Sequence, residues 1–486
     1  MNYVSTRGKA PAVSAAEAIL QGLATDGGLY VPDQWPTLDF DLDQLAQLSY
    51  QELAVKVLSA FLPDFTLAEV QEVVDASYGS QWDTETIVPV HDDGNLHYLE
   101  LFHGPTLAFK DIALQALPHL VTTAARKMGL NKEIAILTAT SGDTGTAAMS
   151  GFADVAGTKI AVLYPQVGVS DIQRQQMVSE PGKNTYVYGL EGNFDDAQQA
   201  VKGLLGDEKF GAFLKEQDVQ ISSANSINIG RLIPQIVYYF YGYGQLLKKG
   251  QIKVGEPIDV LVPTGNFGNM LAAFYASQVG LPVHHFTVAS NENHVLTELF
   301  ETGVYNRNRD FKVTNAPAMD ILVSSNLERL LYFASGQDSQ LIAKDMQALQ
   351  EKGVYQLSDK TRQGLAKFSA GWTSQKQVEE TIAETYTKSA YLLDPHTAVA
   401  VHQYQDDGEH QTLLATTASP YKFPQTVLEA LGEEVVAGAG GLTALAAITK
   451  TSIPQQVKTL FEQPIRHRDI IRADQIQSTI ENALKH

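Results

Sequence analysis

Cysteine is absent from the whole sequence of 486 residues. The chain therefore has no disulfide framework, no thiolate nucleophile and no zinc or iron–sulfur centre held by cysteines. A reducing compartment is compatible with this composition, and we expect a cytoplasmic protein.

Positive charge is also scarce. Lysine and arginine number 35 against 55 aspartates and glutamates, which leaves a net charge of −20. A field of this sign repels nucleic-acid phosphates and anionic lipids, so we expect neither nucleic acid nor a membrane as a partner. An anionic small molecule would have to be bound by local donors.

Long apolar runs are missing as well. The most apolar window, residues 229–247, is interrupted by Arg231, Pro234 and Gln235, whereas about 20 apolar residues are needed to cross a bilayer. The first residues show no basic region followed by an apolar stretch. The sequence therefore predicts neither a signal peptide nor a membrane span.

What is present is the pattern of an α/β protein. The first 85 or so residues are largely helical, and after them short apolar runs alternate with glycine-rich turns and alanine-rich helical runs, which predicts parallel sheets covered by helices. Six strand-first units read IAILT, KIAVLYP, TYVYGL, VQISSAN, IDVLVP and TLLATTA. Each is followed by a loop at the carboxyl end of its strand, where such sheets bind ligands.

The length of the chain and the changes in its residue pattern predict several domains and segments. These are an N-terminal domain (1–85), a smaller α/β lobe (86–200), a larger α/β lobe (201–326 and 391–425), a helical insertion (327–390) and a C-terminal helical segment (426–486).

Two glycine-rich loops are candidate anion sites. TGNFGN, Thr264–Asn269, can direct backbone N–H groups at a phosphate, and it matches neither a Walker loop nor a dinucleotide fingerprint. Its alternative is an ordinary strand-to-helix turn. TSGDTG, residues 140–145, suits a carboxylate or phosphate, provided that Asp143 caps the helix or meets a protonated group.

A lysine in apolar surroundings is the candidate nucleophile or base. Lys110 follows Leu107 and Phe109 in HGPTLAFKDIALQ, and desolvation there would favour its neutral amine. The alternative is a lysine whose charged end reaches solvent.

Two further segments carry polar side chains at strand ends. In SSANSINIGR, Ser226, Asn228 and Arg231 can bind a phosphate, with a simple ion pair of the arginine as the alternative. In ATTASPYKF, the hydroxyl of Thr417 can face a ring nitrogen, although threonine is also an ordinary strand former.

The histidines predict no metal site, because no HxH or HxxxH pair occurs. His284 and His285 are adjacent and would point to opposite faces of a regular strand. A GxSxG motif is absent too, which removes the strongest sequence sign of an α/β-hydrolase.

The order of these motifs, namely AFKD, SGDTG, SxNxxR, GNFGN and a late threonine, resembles the threonine synthase family over nearly the whole chain. The start, MNYVSTRG followed by DGGLYVP, is similar to the longer type found in fungi and many bacteria. The resemblance implies a fold type II enzyme that uses pyridoxal 5′-phosphate, with a tryptophan synthase β-like α/β fold and a small N-terminal helical domain.

The resemblance also implies an activity. Threonine synthases convert O-phospho-L-homoserine and water into L-threonine and phosphate by γ-elimination and β-addition of water. They are carbon–oxygen lyases that act on phosphates, in the last step of threonine biosynthesis within the aspartate family of amino acids. A hydroxyl partner for the ring nitrogen of the cofactor favours moderate rather than strong stabilisation of the carbanion.

Site residues carry over position by position. Lys110 corresponds to the catalytic Schiff-base lysine. The implied cofactor-binding residues are Lys110, Gly265, Asn266, Phe267, Gly268, Asn269 and Thr417. The implied substrate-binding residues are Ser141, Gly142, Asp143, Thr144, Ser226, Asn228 and Arg231. The chain departs from related enzymes at Asp143, where asparagine is frequent, and at Ser419, where the family commonly has histidine in TAHPAKF.

Two alternatives stay open at this point. A phospholyase or dehydratase would use the same cofactor and release 2-oxobutanoate. A non-catalytic binder of phosphorylated metabolites would use only the two anion loops. The sequence is compatible with a monomer or a homodimer.

Overall fold

The computed structural model describes residues 1–140, 142–166, 169–191, 194–205 and 207–485. Its strands, in chain order, are β1 (Tyr3–Ser5), β2 (Tyr30–Pro32), β3 (Val90–Asp93), β4 (Leu96–Glu100), β5 (Glu133–Ala139), β6 (Thr158–Pro165), β7 (Thr185–Leu190), β8 (Val219–Ser222), β9 (Ile258–Pro263), β10 (Val283–Ser290), β11 (Val304–Asn306), β12 (Val354–Gln356), β13 (Phe368–Trp372), β14 (Thr412–Thr416) and β15 (Ile470–Ile471).

The α-helices, in chain order, are α1 (Ala15–Gln21), α2 (Tyr50–Phe61), α3 (Leu67–Ser77), α4 (Lys110–Leu114), α5 (Leu117–Lys127), α6 (Asp143–Phe152), α7 (Asp171–Val178), α8 (Phe194–Leu205), α9 (Glu208–Glu216), α10 (Ile229–Lys248), α11 (Gly268–Gln278), α12 (Val295–Thr302), α13 (Leu327–Ala334), α14 (Ser339–Lys352), α15 (Asp359–Gly364), α16 (Gln375–Ser389), α17 (Pro395–His402), α18 (Pro424–Ala430), α19 (Gly438–Thr449), α20 (Gln455–Lys458) and α21 (Ile476–Leu484). Side-chain caps start several of them: Ser49 accepts from the N–H of Glu52 at α2, and Thr66 accepts from that of Glu69 at α3.

Two sheets dominate the fold. The larger has six strands in the order β13-β10-β9-β14-β4-β3, parallel except for the antiparallel pair of β3 and β4. The smaller has five parallel strands in the order β15-β7-β6-β5-β8. The six predicted strand-first units are confirmed as β5, β6, β7, β8, β9 and β14.

Central strands are continuous apolar runs because helices cover both of their faces. All five residues of β14 are buried, which is the pattern of an interior parallel strand. The main apolar core joins the N-terminal helices to both sheets and includes Leu53 of α2, Ile136 of β5 and Val260 of β9. The N-terminal region also contains the antiparallel pair of β1 and β2.

Five strands lie in a different sheet or segment from the one that the sequence predicts. Strands β3 and β4, assigned to the smaller lobe, belong to the larger sheet, whereas β8, assigned to the larger lobe, pairs with β5 of the smaller sheet. The insertion 327–390 is not purely helical, since its β13 extends the larger sheet. The C-terminal segment likewise adds β15 to the smaller sheet. Chain order cannot predict these pairings, because the hydrogen bonds join distant segments.

No helix in the described part of the chain combines the length and the apolar character needed to cross a bilayer.

Candidate active site

Lys110 begins α4 and is held against the end of β14. The N–H of Phe109 donates to the carbonyl of Thr417 at 2.8 Å, and the N–H of Ser419 donates to the carbonyl of Leu107 at 3.0 Å. These backbone bonds bring Lys110 and Thr417 together although 306 positions separate them in the sequence. The lysine and the late threonine therefore share one site.

The Lys110 side chain is 12% exposed, and its Nζ lies 3.3 Å from Oδ2 of Asp143. Burial lowers the pKa of Lys110; the carboxylate of Asp143 opposes this effect, and the charges of Lys422 and Arg231 add to it, so that the net pKa lies below the ordinary value. A lysine of this kind supplies a neutral amine more readily than a surface lysine does. The alternative of a charged end that reaches solvent is wrong.

A second lysine lies on the other side of the same carboxylate. Lys422 is fully buried, and its Nζ lies 3.0 Å from Oδ1 of Asp143 and donates to the carbonyl of Thr106 at 2.7 Å. Gln173 also donates to Oδ1 of Asp143, at 2.7 Å. Burial by itself would raise the pKa of Asp143, but the charges of Lys422 and Lys110 outweigh it and keep the pKa well below the usual value. Asp143 is thus an ionised group between two cations. Of the two roles that the sequence allows for it, capping a helix or meeting a protonated group, the structure shows the second.

The loop before α6 is shaped around Thr140. The hydroxyl of Thr140 accepts from the N–H of Gly142 at 3.0 Å and from that of Gly145 at 2.9 Å. Gly142 has a φ of 144°, and a Cβ there would lie 2.5 Å from the side chain of Gln173, so this position requires glycine. Thr144, in the first turn of α6, is partly exposed. Ser141, also predicted to bind substrate, lies outside the described residues.

The TGNFGN loop joins β9 to α11. Its carbonyls are turned outward, since Gly265 accepts from the hydroxyl of Ser324 at 2.7 Å and Asn266 from the amide of Asn326 at 3.0 Å. Phe267 has a φ of 64° and precedes α11, whose first N–H groups, on Gly268 and Asn269, have no partner within the helix.

Asn269 adds a buried donor to this loop. Its side-chain oxygen accepts from the hydroxyl of Tyr239, whereas its Nδ2 is buried without a partner among the described residues. Unpaired N–H donors at a helix N-terminus fit an anion.

Arg231, on α10, is a buried cation with no carboxylate partner in the described part of the chain. It donates from Nη1 to the carbonyl of Ala224 at 2.8 Å, and its Nε has no partner among the residues that the structure describes. Burial lowers the pKa of Arg231 to about 10, so the guanidinium is charged at neutral pH. The ion-pair alternative is wrong, and the free donor fits an anionic ligand.

The other two polar residues of the SSANSINIGR segment, Ser226 and Asn228, differ in whether they can contact a ligand. Ser226 is half-buried, and its Oγ lies 3.3 Å from that of Ser325, beside the TGNFGN loop. Asn228 has no donor left for a ligand: it caps α10 by accepting from Gly230, and its amide donates to the carbonyls of Ile19 and Ser223. The prediction that the Asn228 side chain binds substrate is therefore corrected to a structural role.

Ser419 stands where the resembled family has histidine. Its Oγ accepts from the N–H of Tyr421 at 3.3 Å and caps the turn Pro420–Lys422. The serine thus helps to place Lys422. Another histidine, His396, is buried. Its Nδ1 lies 2.8 Å from Oδ1 of Asp394, and its Nε2 accepts from the N–H of Ala318 at 3.1 Å, so both ring nitrogens have partners within the protein.

Sequence reasoning missed three groups at this site. Lys422 has the same signal as Lys110, a lysine beside apolar residues in SPYKF, but received no role. Gln173 and the segment 324–326 lie outside any glycine-rich motif and carry no such signal.

Family comparisons agree with this geometry. Residues 2–78 match the family model described as threonine synthase N terminus, residues 93–350 match that of pyridoxal-phosphate dependent enzymes, and residues 397–480 match that of the threonine synthase C-terminal region.

Individual relatives extend over most of the chain. Threonine synthase from Pseudomonas aeruginosa is 38% identical, covering 88% of this chain and 90% of that protein, and the Saccharomyces cerevisiae enzyme is 34% identical, covering 99% and 97%. Human threonine synthase-like 1 is 40% identical over 86% of this chain, which spans only 58% of that relative's length.

Solved structures match the whole fold. The structure of pyridoxal-phosphate-bound threonine synthase from Brucella melitensis superposes with a TM-score of 0.89 at 34% identity, covering 100% of both chains. Yeast threonine synthase gives a TM-score of 0.88 at 32% identity, covering 99% of this chain and 98% of that chain.

Proposed function

Because this chain belongs to the threonine synthase family of pyridoxal-phosphate-dependent enzymes, we propose that it converts O-phospho-L-homoserine and water into L-threonine and phosphate. It would then be a carbon–oxygen lyase of aspartate-family amino-acid biosynthesis. The observation that carries the proposal is the buried amine of Lys110, 3.3 Å from Asp143 and lowered in pKa, in a site that also contains Arg231, whose Nε has no partner among the described residues.

The residues present fit pyridoxal phosphate. The unpaired Nδ2 of Asn269 and the N–H groups at the start of α11 supply donors for its phosphate, and Lys110 supplies the amine that would hold its aldehyde carbon. The backbone of Thr417 is hydrogen-bonded to that of Phe109, next to Lys110, and its hydroxyl would face the ring nitrogen. When bound, the cofactor supplies an electron sink for negative charge on the substrate carbons.

The protein side of the reaction is positioning and proton transfer. Arg231 would bind the phosphate group of the substrate. The start of α6 would bind its α-carboxylate through N–H groups other than those of Gly142 and Gly145, which donate to Thr140. The amine of Lys110, whose pKa is lowered, would remove the α-proton and then the β-proton as phosphate leaves the γ-carbon. It would return one proton to the γ-carbon and, after water has added its hydroxyl group to the β-carbon, one to the α-carbon. The carboxylate of Asp143 would stabilise the ammonium form of Lys110 whenever that amine is protonated.

A second candidate is a phospholyase that releases 2-oxobutanoate and phosphate. Relatives with 40% identity carry the name threonine synthase-like 1 rather than threonine synthase, so the family name alone does not decide between the two products. Both candidates use the same binding groups and differ only in whether water adds to the β-carbon. The cytoplasmic location and the choice between monomer and homodimer stay predictions.

The test is the identity of the carbon product. Purified protein with pyridoxal phosphate and O-phospho-L-homoserine is followed by proton NMR, with free phosphate measured in parallel. We expect threonine and phosphate in equal amounts, and no turnover by the Lys110→Ala variant. The product 2-oxobutanoate would establish the second candidate, and absence of turnover by cofactor-loaded wild type would leave the non-catalytic binder.

A further inference from the structure

Three potential metal ligands converge at the edge of the larger sheet where its parallel strands begin. Asp259 lies near the start of β9, His284 near the start of β10, and His410 two residues before β14. One ligand atom of each residue lies within 4.8 Å of those of the other two. The TGNFGN loop follows the other end of β9, so this cluster is separate from the candidate active site.

A β-bulge brings His284 into the cluster. Val283 pairs with Ile258 and His285 pairs with Asp259, so that β10 has one extra residue, His284, at this point. A bulge re-aims a side chain, and Nδ1 of His284 lies 2.9 Å from Oδ1 of Asp259. His285 instead lies beside β13, with its Nε2 2.8 Å from the hydroxyl of Ser369.

His410 reaches the cluster from the third strand. Its ring stacks on that of His284 with centroids 3.9 Å apart and planes inclined by 4°. Its Nδ1 lies 3.0 Å from Oδ2 of Asp407, the carboxylate contact that commonly orients a metal-ligating histidine and leaves Nε2 for the metal. The neighbouring backbone joins the two strands, since the N–H of Asp259 donates to the carbonyl of Gln411 at 2.9 Å.

We propose that Asp259, His284 and His410 bind a divalent transition-metal ion, of which Zn²⁺ is the representative. Two imidazoles and one carboxylate are a donor set suited to this class of ion. Tetrahedral zinc with bonds of about 2.0 Å needs ligand atoms about 3.3 Å apart. A modest rotation of His284, whose side chain is 50% exposed, would bring the ligands to that spacing. The ion would link the starts of three neighbouring strands.

The test uses chelator-treated holoenzyme titrated with ZnCl₂ by isothermal titration calorimetry, with the thermal unfolding midpoint measured with and without Zn²⁺. We expect one Zn²⁺ per chain and a higher midpoint. His284→Asn and His410→Asn should each weaken binding by more than tenfold and remove the rise in midpoint. Asp407→Asn should weaken binding about 10–100-fold, as for other partners of metal-ligating histidines.

His285→Asn is the matched control, because it removes an adjacent histidine of the same strand that faces Ser369. It should bind Zn²⁺ as wild type does. The proposal is overturned if wild type binds no Zn²⁺, if the His284→Asn/His410→Asn double variant binds it as tightly, or if His285→Asn loses it equally. Each variant is first checked for bound cofactor by visible absorbance, so that a folding defect is recognised.

Discussion

Two lysines share one carboxylate at the centre of the candidate site. Lys110 and Lys422 approach different oxygens of Asp143, at 3.3 and 3.0 Å. A buried carboxylate with two cationic neighbours is ionised, and the second cation makes it harder to protonate the first. Lys422 therefore acts as a positioning residue that keeps Lys110 more acidic than Asp143 alone would allow.

Replacing Lys422 by methionine tests this role. The charge of Lys422 contributes to the lowered pKa of Lys110, so its removal should raise that pKa. Because Lys110 would hold the cofactor in the free enzyme, its amine titrates in the enzyme–substrate complex, so the acid limb of the kcat profile should move up by about one unit. Lys458→Met, which removes an exposed lysine, is the control; equal profiles for wild type and Lys422→Met would contradict the role.

Arg231→Lys tests the anion donor. The variant keeps a positive charge but loses the planar fork, and hydrogen bonds to charged groups contribute about 1.5–3 kcal/mol. We expect KM for O-phospho-L-homoserine to rise about tenfold to a hundredfold, with cofactor absorbance unchanged. Arg126→Lys, at an arginine that is 62% exposed, should leave KM as in wild type. An unchanged KM in Arg231→Lys would place the substrate phosphate elsewhere.

At the scale of elements, the first turn of α6 depends on one glycine. Gly142 lies in a conformation that other residues rarely adopt, and a Cβ at this position would collide with Gln173, which donates to Asp143. The loop conformation and the charge arrangement of the site are therefore connected through a single side chain.

Gly142→Ala should disturb both the loop conformation and the contact between Gln173 and Asp143. The methyl group would lie 2.5 Å from Gln173 and displace its amide from Asp143, in addition to a backbone cost of about 1 kcal/mol. Activity should fall well below that of Gly157→Ala, which has a φ of 76° but no atom within 4 Å of the new Cβ and so carries the backbone cost alone. The comparison is made by steady-state rates and unfolding midpoints. Similar losses of activity and stability in both variants would show that the contact with Gln173 is unimportant.

At the scale of the whole molecule, the site is assembled from both sheets. The TGNFGN loop follows β9 of the larger sheet, whereas the loop before α6 follows β5 of the smaller one. A ligand that touches both loops binds only the folded arrangement, and such a ligand stabilises the protein by mass action.

Pyridoxal phosphate should therefore stabilise the entire chain. At a free concentration 100 times the dissociation constant, the expected gain is about 2.7 kcal/mol, seen as a higher unfolding midpoint for the loaded than for the stripped protein. Lys110→Ala should show a smaller rise at the same concentration because it lacks the amine that holds the cofactor. An identical midpoint with and without the cofactor would contradict binding by this site.

Local patterns in the sequence predicted much of the fold and part of the site. The six strand-first units, the two glycine-rich loops and a lysine among apolar residues follow from short segments, because hydrophobic periodicity and glycine turns act over a few residues. The ordered series of motifs also identified the family, since it extends over nearly the entire chain.

Tertiary structure alone decided the features that depend on contacts between distant residues. The pairing of Lys422 with Asp143, the use of Asn228 to anchor α1, and the addition of β13 and β15 to the sheets all join segments far apart in the sequence. The bulge that turns His284 toward Asp259 depends on the register between two strands. Register and burial are set by the packing of the complete chain, so residue type and spacing do not determine them.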